Sequence, residues 1–191
     1  MAQQGPNPVE VYEGSVNYMR DIIAGVKADQ LSASTPCTEW NVQSLINHNI
    51  KVSQAFFGML TGSGGVNPFD VSGPIPPEGA VAAFEGSTGA LLEAIKAPGA
   101  LEKVVEAPFG KMPGSQLIMI PFADLLIHKW DLAKATGQDT SLDSSMSDAC
   151  YALLAPMMEG MRSGGNFASE VSVSASANIQ EKLLGITGRT A

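Results

Sequence analysis

Histidine and cysteine are nearly missing from this chain, each occurring twice in 191 residues. Cys37 and Cys150 are too few for a disulfide framework and are expected to be reduced. Charged residues make up only 16 % of the chain, and the 11 Lys and Arg are outnumbered by 19 Asp and Glu. With a net charge of −8 and its few basic residues scattered, the chain lacks the positive surface that nucleic acid or anionic membranes require, so neither is expected as a partner. No apolar run is long enough to span a bilayer. The N-terminus, Met-Ala-Gln-Gln-Gly-Pro-Asn-Pro, has neither the basic start nor the apolar centre of a signal peptide, so a cytoplasmic location is expected. A phosphate-binding glycine loop followed by Lys and Ser or Thr is absent as well. No sugar-binding aromatic surface accompanies the carboxylates, which removes a glycosidase pair from consideration.

What remains is apolar and periodic. With 45 % hydrophobic residues the chain can bury one large core, and residues 1–191 read as a single domain. A first helix is expected over about 8–28, capped by Asn7, with Val9, Tyr12, Val16, Met19, Ile23 and Val26 as its stripe. A second starts after Asn41 and stops at the glycine-rich run 61–65. Residues 66–77 hold four prolines and should be an irregular connection, and substrate is expected to be read by a mobile 62–77 loop together with the 101–114 connection. A weaker helix follows over 78–96. Residues 101–114 suit a short strand pair around Gly110 or an extended loop. The next helix, 115–136, is apolar nearly all round its middle, and Pro121 either starts it or bends it. A further helix over 142–161, a glycine-rich break and a tail that packs through Leu183, Leu184 and Ile186 complete the chain. Short connections between such helices give an antiparallel all-α bundle. The nine methionines read as core filler.

Both histidines fall on buried faces of these helices. At about 100° per residue, His48 lies with Leu45, Val52, Ala55, Phe56 and Met59. Asp124, His128 and Asp131 share another face at spacings of four and three, inside the apolar stripe of 115–136. Buried charge without a partner is costly, so this polar cluster needs either a cation or an internal hydrogen-bond network. The metal reading takes His48, Asp124 and His128 as ligands. Two imidazoles and a carboxylate suit Zn first, with Ni or Fe(II) as alternatives, and leave a position open for water or substrate. Asp131 is either an outer acceptor that orients His128 or a bond between packed helices. Cys37 precedes the helix that carries His48, and at a rise of about 1.5 Å per residue His48 lies roughly 10 Å into that helix, so Cys37 is expected to pack in its turn and not to ligate.

Three stretches resemble a known family: Thr35-Pro-Cys-Thr-Glu-Trp-Asn-Val-Gln-Ser-Leu-Ile-Asn-His48, Asp124-Leu-Leu-Ile-His-Lys-Trp-Asp-Leu-Ala-Lys-Ala-Thr-Gly137 and Leu183-Leu-Gly-Ile-Thr-Gly-Arg189. It is the actinobacterial DinB/YfiT-like family related to the metal-binding domain of mycothiol-dependent maleylpyruvate isomerase. The resemblance implies a four-helix bundle, here with a short β-hairpin or extended insertion and a C-terminal helical tail, holding a divalent metal at His48, Asp124 and His128. It also implies mycothiol as a small-molecule thiol partner, an electrophilic co-substrate, and a homodimer as a candidate oligomer. Asp124 stands where the isomerase pattern has Glu, Asn49-Ile-Lys51 replaces a more apolar run, and the isomerase carries a further C-terminal domain. The activity expected is therefore a thiol-dependent transfer or isomerisation of unspecified substrate, with no catalytic residue assigned. The rival expectation is a non-catalytic, metal-stabilised structural or ligand-binding bundle.

Overall fold

The computed structural model describes residues 7–165 and 167–191, which fall into two compact units, one over 7–140 and one over 141–191. The first unit is built on four long helices: α1 (Pro8–Ala24), α2 (Val42–Thr61), α3 (Ala80–Lys96) and, after a hairpin and a one-turn helix α4 (Gly114–Leu117), α5 (Met119–Thr136). Helix α1 packs on α3 and α5, and α2 packs on the same two, so α1 and α2 face each other across the middle of a four-helix bundle. Tyr12, Met19, Leu45, Ile46, Phe84, Leu91, Phe122 and Leu125 fill that middle, each buried. Tyr12 also meets Ser53 across it at 3.4 Å. Burial pushes the Tyr12 phenol well above its ordinary pKa, so it stays neutral.

Several boundaries differ from the sequence expectation for local reasons. Helix α1 ends at Ala24, ahead of Gly25, and a short 3₁₀ turn occupies Ala28–Gln30. The segment expected as one helix over 115–136 is two. The amides of Gly114 and Ser115 bond to the carbonyls of Lys103 and Leu101, tying α4 to the preceding loop. Gly114 is closely packed there, since a Cβ on it would lie 2.1 Å from the Ala100 carbonyl oxygen. Pro121 then sits in the first turn of α5, where its missing N–H costs no intrahelical bond. Residues 101–114 contain an antiparallel hairpin, β1 (Val104–Ala107) and β2 (Gly110–Pro113), with Val105 opposite Met112. Gly110, at φ 128°, makes the tight turn.

In the second unit the expected 142–161 helix is also broken. It forms α6 (Ser144–Leu154) and α7 (Met158–Ser163), separated by Pro156, which cannot donate to a continuing ladder. Asp143 caps α6 through the Met146 amide, and the hydrogen bonds its carboxylate accepts from the Ser145 hydroxyl and the Met146 amide hold the Asp143 pKa below the ordinary value. Helix α8 (Ile179–Ile186) opens on a reciprocal capping box between Asn178 and Glu181 and packs on α6. No described helix is long and apolar enough to cross a membrane.

Candidate metal centre

Helix α2 starts where the Asn41 side chain accepts the Ser44 amide at 2.8 Å, a cap that sets the phase of every later residue in the helix. Two turns on, His48 enters the bundle and is 3 % exposed. Helix α5, facing α2, supplies Asp124 and His128 one turn apart. The three side chains meet. His48 Nε2 lies 3.4 Å from both oxygens of Asp124, and His128 Nε2 lies 3.5 Å from Asp124 Oδ1. The two imidazoles stand edge to face with centroids 5.1 Å apart.

The outer nitrogens decide what the inner ones can do. His48 Nδ1 lies 2.9 Å from the Pro68 carbonyl oxygen, which can only accept, so Nδ1 carries the proton. His128 Nδ1 donates likewise to Asp131 Oδ2 at 2.8 Å, and Asp131 is completely buried. In the neutral rings both Nε2 atoms are therefore bare lone pairs, and both point at a carboxylate. Three acceptors facing one another repel unless a cation lies between them.

Two cations are available in principle. With protons supplying the charge, burial opposes ionisation of Asp124, yet the His48 and His128 charges outweigh it and hold its carboxyl well below the usual range. Burial likewise disfavours the His128 imidazolium, but Asp124, with the bonds to Asp131 and Cys37, lifts its pKa well above the ordinary value. The distances favour a larger cation. Charge-assisted hydrogen bonds settle at about 2.7–2.9 Å, whereas ligands about 2.1 Å from a tetrahedral ion lie about 3.4 Å from one another. The separations of His48 and His128 from Asp124 match the second figure, and that between His128 and Asp131 matches the first. Asp124 Oδ2, moreover, is buried with no hydrogen-bond partner among the described residues. The donor set thus fits a divalent ion, and the 27 % exposure of the Asp124 side chain leaves one side of the cluster reachable from solvent.

Two neighbours escaped the sequence reading. The turn before α2 is closed by the Thr35 hydroxyl, which donates to the Trp40 carbonyl at 2.7 Å and accepts the Cys37 amide at 3.1 Å. So folded, the turn brings Cys37 Sγ to 3.3 Å from Asp131 Oδ2 and 3.7 Å from His128 Nδ1. The helix-rise argument keeps Cys37 out of the His48–Asp124–His128 trio but says nothing of a turn that folds back onto α5. Cys37, His128 and Asp131 form a second close group of ligand-type atoms, though its 2.8 Å contact marks it as a hydrogen-bonded network. The same turn lays the Trp40 ring over His48 at 4.4 Å between centroids, with His128 at 6.0 Å.

The segment after α2, expected to be mobile, is tied to one face of that helix. Gln43 and Asn47 donate to the Gly73 carbonyl at 2.9 and 3.0 Å, Asn47 also reaches the Val71 carbonyl, His48 takes that of Pro68, and Lys51 pairs with Asp70. The Phe69 ring is thereby held 5.8 Å from the His48 ring.

A four-helix bundle with two histidines and a carboxylate converging from facing helices defines a DinB-like protein with a candidate divalent-metal site. Residues 13–133 match the family described as the mycothiol maleylpyruvate isomerase N-terminal domain, and the chain belongs to that family. It is 31 % identical over 188 residues to the uncharacterized proteins Rv0738 and MT0763 of two Mycobacterium tuberculosis strains, H37Rv and CDC 1551, covering 96 % of this chain and 98 % of each relative. Its fold is that of the crystal structure of mycothiol-dependent maleylpyruvate isomerase, with a TM-score of 0.62 over 85 % of this chain and 72 % of the isomerase at 15 % identity. A mutant of the same isomerase superposes with a TM-score of 0.57, covering 74 % of this chain and 65 % of that one.

Proposed function

We propose that this chain binds one divalent metal ion through His48, Asp124 and His128, Zn in preference to Ni or Fe(II), and works as a mycothiol-dependent transferase or isomerase. The observation that carries the reading is the convergence of two imidazole lone pairs and a partnerless buried carboxylate oxygen at ligand-to-ligand distances. A divalent ion so held supplies Lewis acidity that keeps a thiol as its thiolate at neutral pH. Family membership supports mycothiol as that thiol. The chain's own residues prepare the site. The Pro68 carbonyl and the Asp131 carboxylate fix the tautomers of His48 and His128, so neither ring must reorient to offer its Nε2. Asp124 contributes the negative charge that leaves the loaded site with a single net positive charge. Trp40 covers His48 on one side, which limits the approach of water to the face where Asp124 is exposed.

The test is elemental analysis of protein purified without chelator or an affinity histidine tag, beside His48→Ala and His128→Ala. The expected result is about one divalent ion per chain in the parent and none in either variant. Full metal content in His48→Ala would overturn the assignment. Transfer to an electrophile should then require added thiol. If thiol instead inhibits a hydrolytic reaction, the chemistry is hydrolytic.

A further inference from the structure

A pocket of about 240 Å³ lies where the end of α1 and the 3₁₀ turn after it meet α2, the start of α3 and the segment before α3. Its α2 residue is Ile46, about 200° round that helix from His48, so the pocket and the candidate metal centre fall on opposite faces. The buried Ile23 and Ile46 form its floor and the half-buried Val26, Leu31 and Ile75 its walls, with the exposed Lys27 at its edge. Both walls are fastened. The Gln30 side chain accepts the Lys27 amide at 3.0 Å and donates to the Thr136 carbonyl at 3.0 Å, while Gly73, two residues before Ile75, takes donors from Gln43 and Asn47. The space is thus formed before any ligand arrives.

Water fits it poorly, because a held water needs roughly two to four polar partners and every lining side chain except Lys27 is aliphatic. An apolar cavity of about 150 Å³ stays dry and takes up benzene, so this larger one can hold an organic ligand. No aromatic ring lines it, and branched aliphatic walls suit a flexible chain better than a flat ring that stacks. At about 30 Å³ for a water-sized group, the space takes about eight chain carbons.

The charge at the edge selects the head group. Each other Lys and Arg of residues 7–140 pairs with a carboxylate, donates to a carbonyl or lies over the Trp130 ring. The Lys27 ammonium has no partner among the described residues, and no carboxylate lines the pocket, Asp29 included. One ammonium on a flexible stem matches one negative charge. A dianion would keep a charge unmatched in a chain of net −8.

We propose that this pocket binds an aliphatic monocarboxylate of about eight carbons, its chain against Ile23 and Ile46 and its carboxylate on the Lys27 ammonium. The site is separate from the metal centre and stands whether or not that centre binds an ion. The probe is octanoate, titrated calorimetrically into the full chain in buffer with chelator, so that no bound metal can take up the carboxylate. One octanoate should bind per chain. Butyrate, four methylenes shorter, should bind on the order of a hundredfold more weakly. Lys27→Gln should raise the octanoate dissociation constant about three- to fivefold and leave that of 1-octanol within about twofold of the parent. Ala80→Phe, which fills the pocket from its α3 side, should abolish binding of both, with circular dichroism checking the fold of each variant. Octanoate binding that does not saturate, equal affinity for butyrate, an octanoate constant unchanged in Lys27→Gln, or full binding by folded Ala80→Phe would each overturn the proposal.

Discussion

Asp131 Oδ2 receives two donors, the His128 ring and the Cys37 thiol, at zero exposure. One buried atom therefore fixes both the tautomer of His128, a proposed ligand, and the turn that carries Trp40. Replacing Asp131 with Asn keeps the size but lets the amide present a donor, which favours the opposite His128 tautomer. Competition with a chelator should show metal affinity falling by about 10–100-fold in Asp131→Asn; affinity equal to the parent would reduce Asp131 to a packing bond. At this scale much was legible in advance. Counting 100° per residue placed Asp124, His128 and Asp131 together and turned His48 inward, because helical phase is a local property. Cys37 and Trp40 were not legible as site neighbours. Their approach depends on Thr35 closing its turn and on α5 lying opposite, neither of which leaves a periodic trace in the sequence.

Helices were legible where an apolar stripe ran unbroken and less so where the backbone had another use for its amides. Nothing in the pattern of 115–136 announces that Gly114 and Ser115 bond backwards, whereas Pro156 could have been read as the break in 142–161. The prolines of 66–77 correctly excluded regular structure, but absence of a helix did not mean freedom to move. Glycines in the elements separate into two kinds by what surrounds them. A Cβ on Gly58 would lie 1.7 Å from the Gly64 carbonyl oxygen, where the end of α2 meets its own following loop. Gly86 and Gly89, in α3, would place theirs in open space. Gly58→Ala should therefore destabilise by about 1–3 kcal/mol, while Gly86→Ala and Gly89→Ala should each stabilise by about 0.5–1 kcal/mol through helix propensity. Urea unfolding of the three variants decides this, and the same sign for all of them would contradict the packing argument.

All three proposed ligands lie in the unit formed by 7–140, and the unit formed by 141–191 has its own caps and core. Metal binding should therefore leave an uneven imprint. Amide exchange with Zn, compared with chelated protein, should slow in α2, in α5 and in residues 67–73, with α6 and α8 unchanged. Uniform slowing over both units would show that the metal stabilises the chain globally and would favour a structural ion over an exchangeable one. The division into two compact units was not legible in the composition, since apolar content supports one core or two equally well.

The Pro68 carbonyl reaches His48 from a loop that contributes no ligand of its own. Lifting that loop frees the imidazole to change tautomer, and thermodynamic linkage makes the effect mutual, since whatever the loop adds to metal affinity the metal returns as loop stability. The segment bearing Phe69 would thus be firmest when the centre is loaded.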